Sequence, residues 1–536
     1  MPTPSFDAIV VGGGHNGLAA AALLGKAGRR VLLLEASDAV GGAARTVELA
    51  PGFRVPEVAH LANRLHPEVV RRLELERHGL AFATTNLSTT SLSADGRSLT
   101  LAGAFGERLE GDIADGERAA WSALRGKLLR FAGVLAPFLS QIPPRLKNGG
   151  VADMMTLGKL GLGIRRLGRD DMREFLRMVL MNIADVLDEE VTDERLRAAV
   201  AFDAVLGTSL GPRSPNSLMT LFYRLAGEAG GVQAANALPR GGMGAVIAAL
   251  ASAAQAAGVV TRTGAPVASI LVEDDRAAGV VLASGEEIRA PLVASAMNPV
   301  ATLLQLVGTR HLDTGLVRRL SHVRAKGTVA KLNLALDGPP PFIGLSPEAL
   351  AGRLLTAPSL QAIESAFDDA KYGRFSAEPA LEITVPSASD PSLAPAGKHV
   401  VSINAIYAPF RLKPDSEAGR EGFEARILAV LERHAPGIGG RIVARDFLTP
   451  ADIERRHRIP GGHWHHGELG IDQMFMLRPV LGLAQYTTPV EGLVLCGAGS
   501  HPGGGVSGAP ALNAVSRILA DSKGSGLFAA ARRARR

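Results

Sequence analysis

Cys496 is the only cysteine in 536 residues, which excludes an intramolecular disulfide and any Cys-x-x-Cys dithiol chemistry. Aromatic residues are scarce too, 4% of the chain with four tyrosines and two tryptophans. That leaves little material for an aromatic cage around a cationic substrate. No uninterrupted apolar run approaches the ~18 residues needed to span a bilayer. A strand starting about six residues in leaves no room for a signal peptide, so a cytoplasmic protein is expected. The net charge of +6 is modest for this length, and part of it sits in the terminal Ala-Arg-Arg-Ala-Arg-Arg. We read that tail as a solvated end and expect no nucleic-acid partner.

What is present begins with glycine. Gly12-Gly13-Gly14-His15-Asn16-Gly17 lies between the strand-like Ile9-Val10-Val11 and an alanine-rich helical run from Leu18 to Leu24. In Gly12-x-Gly14-x-x-Gly17, Gly12 allows the turn, Gly14 lets a pyrophosphate approach the backbone, and Gly17 lets helix and strand pack closely. The pyrophosphate then faces the free N–H groups of a helix N-terminus, with His15 and Asn16 in its first turn. Val31 to Leu34 reads as a buried parallel strand and is followed by Glu35, placed to accept hydrogen bonds from adenosine ribose hydroxyls.

With 46% apolar residues the chain is globular, and its length implies two domains of unequal size. Beyond the nucleotide unit, apolar spacing at Leu176, Val179, Leu180 and Ile183 predicts helix. Val267 to Val272 and Gly279 to Leu282 predict a meander turning at Asp274-Asp275-Arg276. Leu332, Leu334 and Leu336, Leu381, Ile383 and Val385, and Val401 and Ile403 alternate with polar or small residues. This predicts an antiparallel sheet covered on one face. Thr449-Pro450 predicts a helix start.

A second glycine pair, Gly41-Gly42, precedes Ala43-Ala44-Arg45. NAD-binding units have no need of it, whereas a longer dinucleotide gains another close backbone approach and a charge for its pyrophosphate. The alternative is a plain turn with a solvated arginine. A third cluster runs from Gly497 to Ala509, again after a strand-like stretch. Ser507 could cap the helix that follows, whose positive end would stabilise the charge of a reduced flavin ring.

These three clusters resemble those of FAD-dependent enzymes in the phytoene desaturase and amine oxidase superfamily. Within it, Gly211-Pro212-Arg213-Ser214-Pro215, Pro239-Arg240-Gly241-Gly242-Met243-Gly244 and Gly461-Gly462-His463-Trp464-His465-His466-Gly467, with Asp472-Gln473 and Arg478-Pro479, are similar to the family called pyridine nucleotide-disulfide oxidoreductase domain-containing protein 2. The resemblance implies an α/β fold: a Rossmann-like FAD-binding domain with a parallel sheet, and an inserted α+β substrate domain with an antiparallel sheet and a helical region. The expected division is 1–85, 231–300 and 486–536 for FAD, and 86–230 and 301–485 for substrate. By the same carry-over Glu35 holds the ribose, Gly41, Gly42 and Arg45 the diphosphate side, and Val267 the adenine, while Gly499, Val506 and Ser507 lie near the flavin. The disulfide in the family's name conflicts with the cysteine count, and Cys496 reads as a small buried residue.

On the substrate side, Gly241, Gly242 and Met243 are pocket candidates, with a plain turn as the alternative. His463 and His465 would share one face of a strand with His466 opposite. No acid or cysteine completes a metal site there, and none is expected. A titrating His466, positioned by Asp472 or Gln473, is the candidate polar group. The expected function is an FAD-dependent oxidoreductase taking two electrons from a hydrophobic or amphiphilic small molecule, with peripheral membrane contact in the carotenoid-type version. Flavin amine oxidation is one alternative. A flavin-bound regulatory protein, with a protein partner or as a homo-oligomer, is the other.

Overall fold

The computed structural model describes residues 6–145, 149–413 and 419–533. The last three residues of the arginine-rich tail lie outside them. Strands β1 (Ala8–Val11), β2 (Val31–Leu34), β3 (Val260–Arg262), β4 (Val293–Ser295) and β5 (Leu493–Leu495) form one parallel sheet in the order β3-β2-β1-β4-β5. Ile9 is flanked by Leu32 and Val293 in register. Every residue of β1 and β2 is buried, as befits strands packed on both faces.

Alternate residues of these strands feed two cores. Ala8, Val10, Leu33, Ala294 and Val494 join one core with helices α1 (His15–Lys26), α2 (Met243–Ala256) and α3 (Ala509–Arg533). Ile9, Val11, Leu32, Leu34, Val293 and Leu495 join another, with the Val267–Glu273 and Arg276–Leu282 meander. The meander turns where expected, at Asp274 and Asp275, both at positive φ (48° and 60°). Aspartate tolerates that conformation better than most residues. Helix α1 is alanine-rich because α2 and α3 both pack on it, and only small side chains permit two such close neighbours.

A second sheet of eight strands runs in the order Ile442–Leu448, Val329–Leu336, His399–Ile406, Leu381–Thr384, Arg353–Thr356, Thr89–Ser91, Leu99–Ala102, Arg108–Glu110. It is antiparallel except where Arg353–Thr356 runs parallel to Thr89–Ser91. Leu332, Leu334, Leu381, Ile383, Val401 and Ile403 pack on Phe423, Ile427 and Leu431 of the Arg420–His434 helix. Contrary to the one-sided covering expected, the opposite face is buried as well. It carries Lys331, Asn333, Glu382, Thr384, Ser402 and Asn404, each no more than 3% exposed, which bond to one another and to His60, Arg353 and the Pro56 carbonyl.

The helical stretch also departs from expectation. It breaks into Arg169–Met178 and Ile183–Glu190, so Ile183 is buried while Leu176 and Leu180 stay exposed. Thr449 caps the Pro450–His457 helix by accepting from the Asp452 N–H, as its sequence suggested. Among the described residues no helix is long and apolar enough to cross a membrane.

Candidate active site and dinucleotide cradle

A cavity of about 330 Å³ opens between the two sheets, within the size range of small-molecule sites. At one end it is lined by Gly12, Gly14, His15, Asn16, Gly17, Glu35, Gly41, Gly42, Arg45 and Val267. Gly14 is the N-cap of α1 and no side chain caps its first turn, so that turn's N–H groups remain available to an anion. A Cβ on Gly14 would meet nothing within 4 Å, whereas one on Gly17 would lie 1.8 Å from the Gly12 carbonyl oxygen. Gly14 leaves room for a ligand, and Gly17 leaves room for the chain itself.

The Glu35 carboxylate accepts from the Gly13 N–H (2.7 Å) and the Ser37 N–H (2.8 Å), which fixes its oxygens at the cavity wall. Gly41 donates its N–H to the Gly13 carbonyl, bringing the two glycine runs side by side. Arg45 is engaged by Glu57 (2.8 Å) and lies 3.5 Å from Asp38, so much of its charge is already balanced. The buried atoms His15 Nε2 and Asn16 Oδ1 have no protein partner. A backbone cradle, a fixed carboxylate and orphaned polar atoms fit an adenine dinucleotide diphosphate.

At the other end stand Leu61, Leu206, Ile459, Trp464, Leu469, His465, His466, Val506 and Gly505. His463, His465 and His466 do not alternate along a strand. The segment folds as tight turns, with the His466 N–H on the His463 carbonyl (2.7 Å) and His466 at φ 57°. Arg478 clamps this turn to the C-terminal glycine run, donating to the carbonyls of His465 (2.6 Å), Glu468 (2.9 Å) and Ala498 (2.9 Å). The His466 ring lines the cavity along with Trp464 and Leu469. Burial, then the neighbouring His15 and Arg478, push its imidazole down to about 3, so it is neutral at physiological pH.

Several expected positions fall outside the cavity lining. Asp472 is exposed and paired with Arg324 at 2.6 Å. Gln473 spends its amide on the Arg324 backbone, accepting from its N–H (2.8 Å) and donating to its carbonyl (3.0 Å). Gly241 and Gly242 (φ 86° and 76°) form the turn into α2 against Thr46, and Met243 is buried in the α-helical core. Gly499 packs on Pro299. Ser507 accepts from the Ala509 N–H (3.2 Å) at the start of α3.

Sequence reasoning missed a charged cluster on the polar face of the eight-stranded sheet. His60 lies 2.8 Å from Glu382 and 3.0 Å from Lys331. Burial, then the Lys331 charge, hold His60 at about 4, and burial brings Lys331 down to about 7. The neutral ring therefore accepts from Lys331 at Nδ1 and donates from Nε2 to Glu382. Arg353, fully buried, bridges Glu382 (2.6 Å) and Asp203 (2.7 Å). Burial alone would raise Glu382, yet Arg353 and His60 keep it well below the usual carboxylate range. The signal was an apolar helix, Ser217–Leu225, carrying one cation, Arg224.

A dinucleotide cradle opening into a partly apolar chamber under a second sheet defines an FAD-dependent oxidoreductase. Residues 17–511 match the family described as flavin containing amine oxidoreductase, and the chain belongs to it. Pyridine nucleotide-disulfide oxidoreductase domain-containing protein 2 of Rattus norvegicus is 35% identical over 548 residues, covering 97% of this chain and 94% of that relative. A phytoene dehydrogenase of Streptomyces griseus is 29% identical over 94% of this chain and 92% of its own. In fold, cyclohexylamine oxidase from Brevibacterium oxydans IH-35A superposes with a TM-score of 0.59 at 18% identity, over 97% of this chain and 100% of that one. Cys496, the chain's one cysteine, is buried, and burial pushes its thiol up to about 12.

Proposed function

We propose that this oxidoreductase removes two electrons from a hydrophobic or amphiphilic small molecule bound between the two sheets. Bound FAD supplies the two-electron acceptor. The chain binds the substrate, orients one C–H bond and excludes water. The observation that carries this reading is the continuous cavity running from the glycine cradle to Leu206, Ile459 and Leu469. Gly12, Gly14, Gly17, Glu35, Gly41, Gly42, Arg45 and Val267 would hold the nucleotide half, and Gly505 and Val506 the flavin side. Neutral His466 is proposed as a positioning group, its unpartnered Nδ1 offered to whatever lies in the chamber.

Residues 1–85, 231–300 and 486–536 would form the FAD-binding domain, since all five parallel strands come from them. The inserted stretches 86–230 and 301–485 would form the substrate domain. Exposed Val151, Met154, Met155 and Leu162 on the Val151–Arg166 helix and Leu176 on the neighbouring Arg169–Met178 helix, with Leu180 in the turn after it, support peripheral contact with a membrane. Amine oxidation is disfavoured by one contact: the Arg64 guanidinium sits 3.4 Å from the Tyr223 ring centroid, occupying an aromatic face that an ammonium would need.

Anaerobic mixing of the FAD-loaded protein with polyenes, amines, carboxylates and NADH tests the reading. A competent donor bleaches the flavin absorbance. Bleaching by amines alone would replace this reading with amine oxidation, and failure of every donor would refute it.

A further inference from the structure

Arg64 lines the cavity, is 8% exposed, and forms no ion pair among the described residues. Its Nη1 donates to the Tyr223 carbonyl (2.8 Å), and its Nε is buried without a partner. Tyr223 is itself held in place, its hydroxyl donating to the Gly504 carbonyl at 2.9 Å. Arg224, the next residue along, also lines the cavity. It lies 3.2 Å from Asp203, yet its Nε and Nη1 make no aligned hydrogen bond. The charged groups around Arg224 are Asp203, Arg353, Glu382 and Arg64. Arg224 and Arg353 thus share two carboxylates, Arg353 already engages both, and neither pairs with Arg64.

A buried charge without a counter-charge is costly. Guanidinium donors arranged as a fork match a planar carboxylate. The nucleotide end of the cavity has its own anion site at the start of α1, so the diphosphate leaves Arg64 unpaired. We propose that Arg64, supported by Arg224, binds the carboxylate of the substrate, making the ligand of this chamber a carboxylate-bearing amphiphile. This rests on the oxidoreductase reading for the word substrate. The anion site itself requires no turnover.

The test is calorimetric titration of the FAD-loaded wild type with carboxylates from acetate to dodecanoate, each against the alcohol and amine of equal chain length. The expected result is a preference for at least one carboxylate over its alcohol by roughly 10- to 100-fold, the range for hydrogen bonds to a charged group. Arg64→Met should abolish the preference with FAD retained, and Arg64→Lys should restore part of it. If Arg64→Met does not fold or does not hold FAD, Arg224→Gln is read in its place, and it should weaken the preference. Equal binding of carboxylate and alcohol, no carboxylate binding at any length, or an unchanged preference in the variant read would each overturn the proposal. Arg64-dependent carboxylate binding without flavin bleaching by any donor would leave the anion site standing and remove the oxidoreductase reading alone.

Discussion

Replacing Gly14 and Gly17 separately by alanine divides what looks like one motif into two physical roles. At Gly17 the new methyl would lie 1.8 Å from the Gly12 oxygen and 3.3 Å from the Ala296 Cβ, so α1 must move away from the β1 turn by more than an ångström. Because α2 and α3 pack on α1, the cost should reach the upper part of the overpacking range, about 3 kcal/mol, without any ligand present. At Gly14 the backbone is extended (φ −69°, ψ 176°) and the space around a Cβ is empty. The protein alone should lose only the N-cap preference of glycine over alanine, about 1 kcal/mol or less. The methyl would instead occupy the approach of the diphosphate, and FAD affinity should fall at least ~100-fold, equivalent to about 2.7 kcal/mol. Urea unfolding of both apoproteins and fluorimetric FAD titration check the pair. A Gly14→Ala protein that keeps full FAD affinity, or a Gly17→Ala apoprotein as stable as wild type, would refute the assignment.

Acid should weaken the fold. His15 and His466 are held at about 4 and about 3 by burial, below the unfolded value near 6.5, so the unfolded chain binds more protons. Stability should then fall as pH drops from about 6.5 towards 3, by up to ~1.4 kcal/mol per pH unit for each histidine; a flat urea midpoint across that window would contradict their burial. Lys331 acts in the same direction at higher pH, since its folded value near 7 lies below the ordinary 10.5 and the unfolded chain again binds more protons, so Lys331→Met should flatten the rise in stability between pH 7 and 10.5. Glu382→Gln leaves Arg353 short of a charge it now contacts at 2.6 Å and should cost about 3–5 kcal/mol by equilibrium unfolding. His466→Ala should slow flavin reduction by a competent donor in stopped-flow while FAD stays bound; an unchanged rate removes it from the site.

The legible parts were those whose physics is local. A positive-φ turn at Asp274-Asp275, a cap at Thr449 and three glycine runs each announce themselves within a dozen residues. The polar face of the eight-stranded sheet did not, because Lys331, Glu382 and Asn404 look solvent-facing in a period-two pattern until His60 and Arg353 are seen to cover them. Arg64 was hidden for the same reason, since its lack of an acidic neighbour exists only in three dimensions. Asp472 lies near His466 in sequence, but the partner it meets, Arg324, holds it at the surface.

The order of the parallel sheet also sets a timetable for synthesis. Strand β5 pairs with β4 and leads into the glycine run and α3, yet it is separated from β1 by nearly the whole chain. At about 5–20 residues per second, a ribosome would need on the order of a minute to make the intervening stretch. Once β4 is made it has an open edge and α1 lacks one of its two helical neighbours until β5 and α3 follow, and throughout the interval the flavin side of the cradle does not exist. The nascent protein is therefore expected to acquire its cofactor only once β5 and α3 have emerged, and to be a client for protection against edge pairing until then.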